Sequence, residues 1–140
     1  MDTFVLEGLE TACRRIMAAG EGLFAWSWDT WPAGMVLSKI DITGRKKAEA
    51  LLREVFAGSW DHKKIAGAPA KIRGILESVG GVGERQVAYA SNPEALAILI
   101  GLWWPWGNGK TVSLRLGLAP GIAGCSQDEL DDAIRGWFGV

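Results

Sequence analysis

The chain has 140 residues, 49% of them hydrophobic and 22% charged, and carries a net charge of −1. That length suits one compact domain over 1–140, and the composition is that of a globular chain rather than a disordered one. Eight tryptophans stand against one tyrosine, an excess that calls for either an aromatic core or an aromatic surface meant to be covered.

Residues 3–19 are predicted to form an amphipathic helix. Val5, Leu9, Ala12 and Ile16 recur at helical spacing, Leu6, Cys13 and Met17 widen the stripe, and Gly20 and Gly22 end it. "LFAWSWDTWPAGMVLSKIDI" then reads as a hairpin: Phe24, Trp26 and Trp28 share one strand face, Trp31-Pro32-Ala33-Gly34 turns, and 35–42 returns. A second helix is predicted over 44–57, buried through Ala48, Leu51, Leu52, Val55 and Phe56 and stopped by Gly58. Its Glu49 and Arg53 have i,i+4 spacing suited to an ion pair.

Trp60-Asp61-His62-Lys63-Lys64 reads as the start of a further helix, with Asp61 as its cap and His62 exposed. Pro69 opens another, with Ile72, Ile75, Leu76 and Val79 as its stripe and Gly80-Gly81 as its stop. "GERQVAYAS" alternates as a strand. "SNPEALAIL" has the form of a helix start, with Asn92 as cap and Pro93 in the first turn, so a buried helix is predicted over 93–102. "KTVSLRLGL" is a strand with Val112, Leu114, Leu116 and Leu118 on one face and Thr111, Ser113 and Arg115 on the other. Ser126-Gln127-Asp128-Glu129 is a capping box for a last helix that buries Leu130, Ala133, Ile134 and Trp137.

The resulting order, α-β-β-α-α-β-α-(β)-β-α, fits an α+β two-layer sandwich: a mostly antiparallel sheet with helices packed on one face. Two stretches also rhyme. Each runs helix, Trp-x-Trp, turn, strand, helix, which suggests an internal pseudo-duplication with halves 1–60 and 84–140.

"WSWDT" and "KIDITGRKKAEALLRE" resemble the opening and closing phrases of PAS sensor domains. In that family the two phrases enclose a whole ligand-binding sheet, far longer than the segment between Trp28 and Lys39, so the resemblance implies nothing further for this chain.

Cys13 and Cys125 are too few and too far apart for a disulfide framework and are expected as reduced thiols. No secretory signal is read, and the apolar run 95–106, broken by Gly101 and Pro105, falls short of the roughly 20 residues of a membrane span. A cytoplasmic protein with no membrane contact is expected. Residues 39–73 hold nine basic against four acidic residues. Within that segment Arg45, Lys46, Lys47, Lys63 and Lys64 are the candidate residues for an anionic partner.

Gly109-Lys110-Thr111 ends like a Walker A loop, but Trp104 stands where the first glycine should be, and a strand rather than a helix follows. Asn108-Gly109 is instead a two-residue hairpin signal. Gly80-Gly81-Val82-Gly83 follows a helix rather than a strand and is no dinucleotide fingerprint. One histidine and two isolated cysteines build neither a zinc site nor a nucleophile–base pair. No catalytic set, metal or cofactor is expected, and Asp29 and Asp41 read as solvated carboxylates at turns.

The reading left by these exclusions is a non-enzymatic binding module. Trp26, Trp28, Trp31, Trp103, Trp104 and Trp106 would line an apolar cleft or patch for a small apolar or aromatic molecule or a peptide. One alternative is a protein–protein or self-assembly module, such as a homodimer, with tryptophan anchors. Another is nucleic-acid binding through 39–73, against which the sequence pI of about 5.8 weighs.

Overall fold

In the computed structural model, which describes residues 3–121 and 125–140, ten regular elements follow one another. They are α1 (Thr3–Ala19), β1 (Ser27–Asp29), β2 (Met35–Asp41), α2 (Arg45–Val55), β3 (Gly58–Asp61), α3 (Ala70–Ser78), β4 (Val87–Ala90), β5 (Ala97–Pro105), β6 (Thr111–Pro120) and α4 (Gln127–Phe138). The strands form one sheet in the order β1-β2-β6-β5-β4-β3, and every neighbouring pair is antiparallel. This is a single-domain α+β fold, as the mixture of helical stripes and strand alternation predicts.

Three helices cover one face of the sheet. Val36, Leu99, Leu114 and Leu116 point into this layer and meet Cys13 and Ile16 of α1, Ala48 and Leu52 of α2, and Leu130 and Ile134 of α4. The Val5 side chain, expected in the α1 stripe, lies outside the described residues. Ser126 caps α4 as its sequence predicts, its Oγ accepting the Glu129 amide at 3.2 Å, and Gly139 ends the helix in the left-handed region at φ 68°. Glu49 and Arg53 do not form the expected pair: among the described residues the ion pairs are Arg14–Glu10, Arg15–Glu54 and Arg115–Asp29.

The remaining helix, α3, packs on the opposite face, so helices on one face alone describes only α1, α2 and α4. Ile72, Leu76 and Val79 sit over Ala88 and Ala90 of β4 and Ile98, Ile100 and Leu102 of β5, with Trp60 of β3 at the margin. Nine residues of helix cover one half of that face. The half formed by β6, β2 and β1 meets α3 only at the end near Met35 and Ala119.

The helix expected over 93–102 is a correction. Asn92 does act as a cap for one turn: its Oδ1 accepts the Glu94 amide at 2.9 Å and its carbonyl the Ala95 amide at 3.2 Å. From Ala97 the chain is strand, paired with β4 on one side and β6 on the other. A run that is apolar all round is what a strand buried on both faces requires, and periodicity cannot separate it from a buried helix.

A second correction falls at Trp60–Lys64. Trp60 and Asp61 end the edge strand β3, and the Asp61 carboxylate accepts the Lys63 and Lys64 amides at 3.0 and 2.9 Å to close a turn, followed only by a 3-10 turn at Ile65–Gly67. The element order is therefore α-β-β-α-β-α-β-β-β-α. The rhyme between the two ends of the chain loses its second opening helix, which is β5, and keeps two hairpin-and-helix units, β1-β2-α2 and β5-β6-α4, with β2 and β6 side by side.

The β5–β6 connection answers the Walker-like sequence. Trp106 N–H donates to the Thr111 carbonyl at 2.8 Å, leaving 107–110 as a four-residue loop rather than the expected two-residue turn. Asn108 Oδ1 accepts the Lys110 and Thr111 amides at 2.9 and 3.1 Å, and Gly109 alone in this loop takes positive φ, at 70°. The Asn108 side chain occupies the very amides that a phosphate would need.

Leu114 is fully buried in the central strand β6. Leu114→Ala should lower the unfolding free energy by about 2–5 kcal/mol, read as a shift of the urea midpoint at unchanged slope.

Candidate functional site: an aromatic and arginine face

Alternation along β6 sends Ser113 and Arg115 to the uncovered part of the sheet. Register then decides their neighbours: Arg115 lies between Leu37 of β2 and Leu102 of β5, and Ser113 between Lys39 and Trp104. Asp29 comes from β1, and Trp31 follows it in the β1–β2 turn, its amide donating to Asp29 Oδ1 at 3.2 Å. Together with Gln86, Pro105 and Trp106 these residues, Leu102 excepted, line an open depression of about 460 Å³.

Arg115 is its floor. The residue is 8% exposed, its Nε is buried with no hydrogen-bond partner, and its nearest carboxylate oxygen, Asp29 Oδ2, stands 3.6 Å from Nη2. That separation is ion-pair range but longer than a hydrogen bond. Two indoles share the guanidinium: its carbon lies 4.7 Å from the Trp104 ring centre and 5.8 Å from that of Trp31, and the two rings meet edge to face at 6.0 Å. Burial pulls the Arg115 pKa below its ordinary value while Asp29 pushes the other way. An arginine starts so high that the group stays charged at neutral pH.

Trp106 forms the far rim, fixed by its Nε1–H donating to Ser113 Oγ at 2.7 Å, with Lys39 Nζ 5.4 Å from the ring centre. Among the described residues, Trp31 at 68% and Trp106 at 41% are the large hydrophobic side chains left exposed. Both belong to this one depression.

The six predicted tryptophans thus fall into two groups of three. Trp31, Trp104 and Trp106 gather around Arg115. Trp28 pairs with Val36 and faces the helical layer, under Arg135 at 4.9 Å. Trp26 packs between Phe24 and Phe138, ring centres 5.1 and 4.9 Å away, and Trp103 is buried in the helical-side core. The identical Trp-x-Trp spacings therefore point to opposite faces of the sheet. Arg115, Asp29 and Lys39 were absent from the predicted set, since a polar residue alternating with leucines reads as solvent-facing.

The predicted basic residues do not form one strip. Arg45, Lys46 and Lys47 are exposed at the start of α2, and Lys63 and Lys64 in the turn after β3. Arg45 and Lys64 line two separate depressions that share Glu49, so acid interrupts the positive surface.

Reactive groups elsewhere are differently employed. His62 Nδ1 meets the Val82 carbonyl at 3.0 Å on an exposed turn. The Asp41 carboxyl is held below its ordinary pKa by the hydrogen bond from the Thr43 amide at 2.9 Å. Among the described residues no group of three His, Cys, Asp or Glu side chains could hold a metal ion, and no helix is long and apolar enough to cross a membrane. Cys13 is fully buried and its thiol is pushed up to about 12, first by burial and then by Glu10; Cys125 is half-buried, and both are free.

Two outcomes are expected. Asp29→Asn keeps an acceptor for the Trp31 amide but removes the countercharge of Arg115. It should cost about 1–3 kcal/mol in urea denaturation, and Arg115→Met in the same background should restore most of that. With Ellman's reagent, the native protein should titrate one thiol, Cys125, while Cys13 reacts only at the rate of unfolding.

No protein-family model, curated protein or solved structure matches this chain.

Proposed function

We propose that the protein is a non-enzymatic binding module whose ligand, a small apolar or aromatic molecule or a peptide, lies against Trp31, Trp104 and Trp106. The observation that carries this reading is the coincidence of both exposed indoles with one concave face. Water-facing apolar surface is costly, and where it is contiguous and held rigid it commonly marks a recognition site. Here the strands fix the floor, and Trp106 is anchored through Ser113, so the walls exist before a ligand arrives. Pre-formed indole walls lose little conformational freedom on binding. The unbridged cysteines fit a reducing, cytoplasmic setting.

The test is a compound and peptide screen read by the indole N–H resonances in a ¹H–¹⁵N spectrum. Binders should move Trp31, Trp104 and Trp106 and leave Trp26, Trp28 and Trp103 in place. Trp31→Ala should weaken them about tenfold, or ~1.4 kcal/mol, with stability changed by less than about 0.5 kcal/mol. Affinity indifferent to Trp31→Ala would refute the assignment. Light scattering separates the other occupant of such a face, a second copy of the chain: a dimer that Trp31→Ala dissociates would replace the small-ligand reading.

A further inference from the structure

We infer that the ligand of this face is a small aromatic monocarboxylate, its ring against the indoles and its carboxylate on Arg115. The inference rests on the binding role proposed above and adds the chemistry of the guest.

Arg115 carries the argument. Its side chain is more than nine-tenths buried, yet its Nε–H has no acceptor and Asp29 lies beyond hydrogen-bond distance. A buried donor without a partner costs about 1–3 kcal/mol. Nε itself is shut off from the depression, but the guanidinium makes no hydrogen bond among the described residues, and a guest oxygen can meet its outer N–H groups, which an apolar guest cannot do. The two Nη of a guanidinium present two parallel N–H groups, the spacing of the two oxygens of a carboxylate.

Charge fixes the valence of the guest. Lys39, beside Trp106, adds a second cation to the depression, and Asp29 is the one carboxylate lining it. Two cations against one anion leave a single positive charge. A monoanion balances it, whereas a dianionic phosphate would add an uncompensated charge beside Asp29.

Shape fixes the remainder. Trp31 and Trp104 stand edge to face above Arg115, and the Trp31 ring is mostly free. A flat ring can lie on that free surface while its substituent reaches down to the guanidinium. The volume of about 460 Å³ is that of a small-molecule site.

The experiment compares 1-naphthoate, 1-naphthamide and 1-naphthylmethylammonium by calorimetry and by indole N–H shifts. The acid should bind the wild-type protein at least about tenfold more tightly than the amide. Arg115→Met should abolish that preference. Lys39→Gln, at an exposed position where folding is not at stake, should reduce it several-fold, so the test survives if Arg115→Met does not fold. Trp31→Ala should weaken acid and amide alike. Equal binding of acid and amide overturns this inference and leaves the binding face standing. Preference for the ammonium compound overturns it in favour of Asp29 as the anchor. Failure of all three at millimolar concentration to move Trp31, Trp104 or Trp106 overturns both.

Discussion

The hairpin of β5 and β6 has apolar side chains to hide on both of its faces, and this two-sided demand organises the molecule. Ala97, Leu99 and Trp103 need cover on one side, Ile98, Ile100 and Leu102 on the other. Three helices meet the first need. A single short helix, α3, meets the second, reaching over β4 and β5 and touching β2 and β6 only near Met35 and Ala119. Where its cover stops, the sheet turns from aliphatic to aromatic and charged, and the candidate site begins. The exposed aromatic face at this boundary follows from how little helix the chain devotes to the second layer.

Arg115 stands at that boundary, and its energetics are balanced rather than favourable. Taking a guanidinium out of water costs several kcal/mol unless partners compensate. Two indole faces return about 0.5–2 kcal/mol each, and a partly exposed carboxylate at 3.6 Å returns less than a close bidentate pair would. What is left unmet is the Nε–H, which is closed off from solvent and has no acceptor.

Much of the architecture is legible in the sequence because the informative signals are local. The stripes Leu51–Leu52 and Ile72–Leu76, the Ser126 cap, the stop at Gly80-Gly81 and the alternation of 111–118 each specify an element from a few neighbouring residues. β5 is illegible for the opposite reason. Its identity depends on having a strand on either side and a layer above and below, which no window of ten residues records, and a helix-like start at Asn92–Glu94 argues for the wrong element. β3 is four residues long, too short for alternation to register.

The site was half legible. An excess of tryptophan implies an aromatic core or an aromatic surface, and here Trp31, Trp104 and Trp106 line one depression while Trp26, Trp28 and Trp103 pack on the helical side. The division of the six indoles between two faces depends on register between strands far apart in the chain, so equal spacing in sequence leads to opposite sides of the sheet. Arg115 was hidden by a similar effect. Its polarity places it correctly on the face away from Leu114 and Leu116, but Trp104 of β5 and the β1–β2 turn, brought over it by folding from 84 positions upstream at Trp31, close around it.

The same turn sets how the depression is built mechanically. Its floor belongs to strands locked between neighbours on either side, whereas Trp31 hangs from β1, an outermost strand joined to the sheet by three residue pairs. Separation of those pairs is a far smaller event than unfolding, because the central hairpin is untouched by it. Trp31 is therefore the wall tied to the weakest edge of the sheet, while Arg115 and Trp104 stand on strands paired on both sides.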